Sequence, residues 1–174
     1  MEEFLATVVP MATFNARLDL GERCLDLCAE AASHHRNVDP NLIYAYANRW
    51  QEMVSGPIEE SMDLVLELKR RGIQQIALSN FGHEFLPTAE RFPVLQAFDQ
   101  RVISFEVGLV KPNPAIFQLL LDRCGLAASD CLFVDDNAEN IATASTLGFH
   151  THQFREPADP TALRALLVRY RLLQ

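Results

Sequence analysis

The sequence offers little that would suit an exported, membrane-bound or nucleic-acid-binding chain. Its four cysteines, Cys24, Cys28, Cys124 and Cys131, form no Cys-x-x-Cys pair and sit in apolar or helical stretches. That pattern predicts buried free thiols, not a disulfide framework or zinc site, and suits a reducing cytoplasm. No apolar run approaches the length of a bilayer span, and the opening Met1-Glu-Glu-Phe-Leu is acidic where a secretory leader would be basic. An excess of cations is missing too: the formal net charge is −8, which argues against general affinity for nucleic acid or an anionic membrane. A small anionic ligand stays compatible, because one well-placed cation or metal can hold a phosphate locally. Internal repeats and low-complexity stretches are also absent.

What is present is a core-forming composition, 49% hydrophobic and 22% charged over 174 residues, enough for one ordinary domain with a small appendage. Up to about residue 54 the pattern is helical only. Helices are expected near Glu2–Val8, over Glu22–His35 and over Pro40–Met53, the last with Leu42, Tyr46 and Trp50 four apart on one face. Ser55-Gly-Pro57 breaks this pattern, and strands then alternate with helices. The expected order is a helix over Ile58–Arg71 closed by Gly72, a strand at Gln75–Ser79, a helix around His83–Arg91, and a strand at Arg101–Phe105. A helix at Pro114–Cys124, a strand at Cys131–Val134, a helix at Ala138–Leu147, a strand at Phe149–Gln153 and a helix at Pro160–Tyr170 complete it. Such alternation predicts an α/β fold, a Rossmann-like parallel sheet with helices on both faces, with residues 1–54 as a helical module and 55–174 as the core. In such sheets ligands bind beyond the carboxyl ends of the strands.

Three strand ends carry chemistry. Ile76-Ala-Leu-Ser79-Asn80 stops on a hydroxyl and an amide, which suit a plain turn or, with neighbouring N–H groups, a phosphoryl group. In Gly108-Leu-Val-Lys111-Pro-Asn-Pro114, Pro112 keeps Lys111 extended while Asn113 and Pro114 suit the cap and first position of a helix. Lys111 is then either a solvated loop lysine or a fixed cation for a phosphoryl group or carboxylate. Leu132-Phe-Val-Asp135-Asp136-Asn137-Ala-Glu139-Asn140 sets two carboxylates side by side. They repel unless a cation sits between them, and Mg²⁺ is the natural one. The structural alternative is that Asp136 or Asn137 caps the next helix, with Glu139 completing a capping box. About one crossover unit separates each strand end from the next, so all three should reach one sheet edge.

These segments, in this order, resemble the second, third and fourth motifs of the haloacid dehalogenase-like (HAD) hydrolase superfamily, across about residues 57–157. The helical module, with Phe14-Asn-Ala-Arg17-Leu-Asp19 and Arg49-Trp50, is similar to the helical cap of some members. Within the superfamily the sequence looks most like sugar-phosphate phosphatases of the glucose-1-phosphate phosphatase kind and the phosphatase domain of epoxide hydrolases. The resemblance implies Mg²⁺-dependent cleavage of a small phosphorylated metabolite through an aspartyl-phosphate. Ser79 and Asn80 would hold the phosphoryl group, Lys111 would balance its charge, and Asp135 with Asp136 would ligate the metal. A double aspartate suits phosphatases better than the metal-free dehalogenases. The family's first motif, an apolar strand ending Asp-x-Asp, has no counterpart here. Asp19-Leu-Gly21 imitates it, but Asn15-Ala-Arg-Leu18 is no buried strand and no second aspartate follows, so Asp19 is set aside as nucleophile. The chain is therefore expected to begin downstream of that strand, to hold Mg²⁺ weakly and to lack appreciable turnover; the alternative is a genuinely short, catalytically dead member that binds a phosphorylated ligand or a protein partner. The missing central strand should leave a gap in the sheet, a direct pairing of its neighbours, or room for a partner's strand.

Overall fold

The computed structural model describes residues 7–154 and 160–174. The expected Glu2–Val8 helix falls almost wholly outside the described residues. Four helices follow it: α1 (Met11–Asp19), α2 (Cys24–His34), α3 (Pro40–Asn48) and the single turn α4 (Trp50–Met53). They close around Val9, Phe14, Leu18, Leu27, Cys28 and Ile43, a cluster drawn entirely from this part of the chain. Asp39 starts α3 by accepting from the Asn41 N–H at 2.9 Å, with Pro40 in the first turn. The expected Pro40–Met53 helix is interrupted at Arg49, where φ is −119°. Its apolar face also differs from the expected one: Leu42 is 58% exposed and Ile43 is fully buried. The reason is the partner helix. Ile43 lies against Cys28, whose thiol donates to the Ile43 carbonyl, while Tyr46 packs edge-on against Phe14 at 5.3 Å.

The α/β part runs α5 (Glu59–Arg70), β1 (Ile76–Ser79), α6 (Phe85–Arg91), β2 (Gln100–Ile103), α7 (Ser104–Val107), α8 (Pro114–Cys124), β3 (Leu132–Asp135), α9 (Ala138–Thr146), β4 (His150–Gln153) and α10 (Pro160–Arg169). The strand expected over Arg101–Phe105 stops at Ile103. There the buried Ser104 hydroxyl accepts from Phe81 N–H at 2.9 Å and donates to Phe81 O at 3.2 Å, turning the chain into α7.

All strand pairing is parallel, as expected, with Ile76 opposite Gln100 and Leu132 opposite His150. Among the described residues, however, the sheet is two separate pairs, β1–β2 and β3–β4, and β1 does not hydrogen-bond to β3. A gap thus separates β1 from β3. Its consequence shows in the exposure of the strands: β1 is only half-buried at all four positions, and Val134 on β3 is 37% exposed. Phe117, Phe133 and Phe149 pack edge-on with ring centroids 5.2–6.3 Å apart and pin β3 and β4 to α8. That cluster fixes where the end of β3 points.

The helical and α/β parts meet at the loop after β1. Trp50 packs edge-on against Phe81 at 6.2 Å, Gln51 donates to the Thr88 hydroxyl at 3.1 Å, and a His83 ring nitrogen lies 3.0 Å from the Gly21 carbonyl. Gly82 leaves room for α1: a Cβ there would lie 3.2 Å from Leu18 O.

Candidate active site

Lys111 is held by its backbone before its ammonium is considered. The Asn80 side chain grips it at both polar atoms: Nδ2 donates to Lys111 O at 2.9 Å and Oδ1 accepts from Lys111 N–H at 2.7 Å. The Lys111–Pro112 bond is cis, Asn113 caps α8 through Ala115 N–H at 2.9 Å, and Pro114 opens the helix. The expected frame of two prolines and a cap is therefore present. From this frame the lysine reaches the space between the two strand pairs. Its ammonium donates to Leu78 O on β1 at 2.9 Å and to Asp135 Oδ2 on β3 at 2.6 Å, and lies 5.6 Å from the centre of the Phe133 ring. Its side chain is 9% exposed and that of Asp135 is 6% exposed, so this ion pair is buried. An otherwise unpaired carbonyl on the edge of β1 is thus satisfied by a lysine.

Asp135 has its remaining oxygen engaged as well. Oδ1 accepts from Asn137 N–H and from Asn140 Nδ2, each at 2.9 Å. Burial alone would push its carboxyl up, but the bonds from Lys111, Asn140 and Asn137 prevail and hold it below the usual carboxylate range. The cap of α9 is Asn137, which accepts from Glu139 N–H at 2.8 Å and Asn140 N–H at 3.3 Å. The capping box from Asp136 does not form. Asp136 is exposed, and its carboxylate has no ion pair or hydrogen bond among the described residues; only its carbonyl is used, by Gln153.

Ser79, Asn80, Lys111 and Asp135 therefore gather at one edge, at the carboxyl ends of β1 and β3. The Ser79 hydroxyl reaches only Asn80 O, at 3.5 Å, the outer limit of a hydrogen bond, and is free to turn toward a ligand. Both polar atoms of the Asn80 side chain are engaged by the Lys111 backbone. No group of three or more His, Cys, Asp or Glu positioned to hold a metal ion occurs among the described residues. The two arginines of the helical module considered from sequence are occupied at the surface: Arg17 pairs with Glu22 and Glu30, and Arg49 with Glu52.

One residue set aside in the sequence does reach this region. Asp19 ends α1, half-buried, between Leu18, which abuts Gly82, and Gly21, which meets His83. Burial raises its carboxyl, and the charge of Lys111 acts in the opposite direction. The available signal was its place one helical turn beyond Asn15, in a stripe where Phe14 and Leu18 face the core.

All four cysteines are free, as expected, but only Cys24 and Cys28 are buried; Cys124 and Cys131, at a helix end and just before β3, are partly exposed. No helix among the described residues is long and apolar enough to cross a membrane.

Comparison with known proteins places this geometry. The family profile described as haloacid dehalogenase-like hydrolase matches residues 3–148. Mouse acyl-CoA dehydrogenase family member 10 is 34% identical over 117 residues, which is 66% of this chain and 11% of that protein. D-ribitol-5-phosphate phosphatase of Bacteroides thetaiotaomicron is 35% identical over 72 residues, 41% of this chain and 35% of that protein. (S)-2-haloacid dehalogenase 1 of a Pseudomonas species is 36% identical over 85 residues, 48% of this chain and 37% of that protein. The chain thus spans little more than a third, or less, of the length of these relatives. A HAD family enzyme of Bacteroides thetaiotaomicron, solved as a magnesium complex, shares the fold with a TM-score of 0.73 over 86% of this chain and 78% of that one, at 22% identity. The chain belongs to the haloacid dehalogenase-like hydrolase family.

Proposed function

We propose that the edge formed by β1 and β3 is a phosphoryl site of the Mg²⁺-dependent phosphatase type, acting on a small phosphomonoester. The observation that carries this reading is the Lys111 ammonium, lodged between two strands with two of its three N–H groups engaged. The third has no acceptor among the described residues and suits a phosphoryl oxygen. Ser79 Oγ and the main-chain N–H groups after β1 would hold the other oxygens, as in anion-binding turns generally. In a half-buried setting such donors act with little screening and need no reorganisation when charge develops.

The donor set fits a weakly held Mg²⁺. This ion keeps several waters and takes one or two carboxylates plus a phosphate oxygen. Asp136 is open for this, while Asp135, with both oxygens already accepting hydrogen bonds, has less capacity to spare. Bound there, Mg²⁺ would neutralise phosphoryl charge. The nucleophile is a separate matter. The family resemblance puts it on an Asp-x-Asp strand that these 174 residues do not contain. For the chain as it stands the reading is therefore phosphate binding without appreciable hydrolysis, and turnover only where that carboxylate is supplied. Residues 1–54 are read as a cap that selects the alcohol, over a core of 55–174.

The dehalogenase relatives match at similar identity, but the free carboxylate of Asp136 favours a metal-assisted phosphoryl reaction over metal-free halide displacement. Calorimetry with inorganic phosphate, with and without Mg²⁺, tests the reading. Binding is expected, stronger with Mg²⁺ and abolished in Lys111→Gln. Failure to bind phosphate, or halide release from a 2-haloacid, would sink it.

A further inference from the structure

Two thiols of the helical module have no part in the phosphoryl site. Cys24 and Cys28 stand four residues apart on α2, so their side chains leave the same face of the helix. Both are buried in one cluster with Leu27 and Ile43. The two thiols hydrogen-bond to each other, and Cys28 Sγ also donates to Ile43 O at 3.5 Å.

The pair is not sealed off from outside. Cys24 forms part of the wall of a cleft of about 350 Å³, together with Leu25, Ala47 on α3, Trp50 on α4, and His83 and Glu84 just before α6. Ser79, Lys111 and Asp135 do not line it, so it is separate from the edge formed by β1 and β3. The hydrogen bond with Cys28, burial and the charge of Glu84 all raise the Cys24 thiol above its ordinary range. Reactions that would leave a bare thiolate or a net negative complex beside Glu84 are therefore disfavoured. The ligand that suits such a pair is a soft centre that bonds to both sulfurs, carries off both protons and leaves a neutral adduct.

We propose that Cys24 and Cys28 form a dithiol site for a trivalent organoarsenical, whose organic group lies in the cleft against Leu25, Ala47 and Trp50. The reaction balances without an oxidant. Two S–H bonds and the arsenic–oxygen bond of the arsine oxide break, two As–S bonds form, and both protons leave with the oxide oxygen as water. Arsenic stays trivalent, and the product is a neutral staple across one turn of α2. The other two thiols lack this arrangement: Cys124 donates to Gln100 Oε1 at 3.2 Å and Cys131 to Ala127 O at 3.4 Å, each turned to a different partner.

The test uses the full, reduced chain and phenylarsine oxide. Intact mass reads the bidentate adduct directly, as one phenylarsenic group in place of two hydrogens. Trp50, the single tryptophan, reports occupation of the cleft by its emission. The wild type and the double variant Cys124→Ser/Cys131→Ser should each take up one group with a change in Trp50 emission, reversed by ethanedithiol. Cys24→Ala and Cys28→Ala, which keep a small apolar side chain in the cluster, should bind at least about 100-fold more weakly, since the second bond is no longer intramolecular. The double variant retains only the α2 pair and leaves the cluster around it intact. Failure of that variant to take up the group, or uptake with Trp50 emission unchanged, overturns the proposal, as does wild-type affinity in either alanine variant.

Discussion

Replacing Lys111 with methionine separates the structural from the chemical role of the buried pair. Methionine keeps most of the length and apolar stem of lysine and removes only the ammonium. The side chains of Lys111 and Asp135 are 9% and 6% exposed, so the substitution strands a carboxylate away from water. Removing one partner of a buried pair costs about 3–5 kcal/mol. Asp135 retains two donors, Asn137 N–H and Asn140 Nδ2, which places the cost near the lower end, about 3 kcal/mol. In a chain of this length that corresponds to a fall in Tm of roughly 6–12 °C. The sign with pH follows from Asp135. In the wild type its folded pKa lies below the unfolded value, so its contribution is full above about pH 4 and is lost as pH falls through the folded value. Without Lys111, burial is the largest influence left and drives the carboxyl upward. Urea unfolding of both proteins between pH 3 and 7 should then show a wide gap at neutral pH that narrows below about pH 4, as Asp135 protonates in both. A cost under about 1 kcal/mol, or a gap of constant size over that range, would refute the assignment of this pair as a buried, charge-coupled unit.

Four further outcomes follow from the same geometry. Asn137→Ala removes the side-chain cap of α9 and should cost about 1 kcal/mol in urea unfolding, whereas Asp136→Asn, at an exposed site with no partner, should stay within about 0.5 kcal/mol. The same Asp136→Asn variant should bind phosphate as the wild type does without Mg²⁺ and lose the gain that Mg²⁺ confers. Gly21→Ala places a side chain at φ 98° and 3.2 Å from Phe105 O, so it should destabilise by more than about 1 kcal/mol in urea unfolding. Asp19→Asn should stabilise the protein at neutral pH. Its folded carboxyl titrates above the unfolded value, so the ionised form costs stability as pH rises through that value, and the gain should vanish below about pH 4.

The site was legible to the extent that it is written in local turn chemistry. Asn113-Pro114 announces a cap and a helix start, Gly72 follows a helix end, and β1 and β3 stop on polar residues, so the order of elements and the convergence of Ser79, Lys111 and Asp135 follow from spacing. Three kinds of feature did not follow. The α1 helix lies where no element was expected, although Met11, Phe14 and Leu18 recur at helical spacing after Pro10, because so short a stripe is weak in isolation and gains its stability from packing on α2 and α3. Ile43 replaced Leu42 as the buried residue of α3 because the choice between adjacent apolar positions depends on where Cys28 stands. The grip of Asn80 on Lys111 spans 31 residues, and nothing local to either residue signals it.

The acidic pair after β3 shows how the two readings of one motif were divided among three residues. Capping belongs to Asn137. Asp135 binds inward to Lys111, Asn140 and Asn137 N–H, joining the strand end to the cation and to the start of α9. Asp136 is left with neither task. Exposed to solvent and without an ion pair or hydrogen bond among the described residues, its carboxylate stays open to a ligand. In the proposed phosphoryl site a divalent cation would share that carboxylate with a phosphoryl oxygen, at the edge where Lys111 and Ser79 converge.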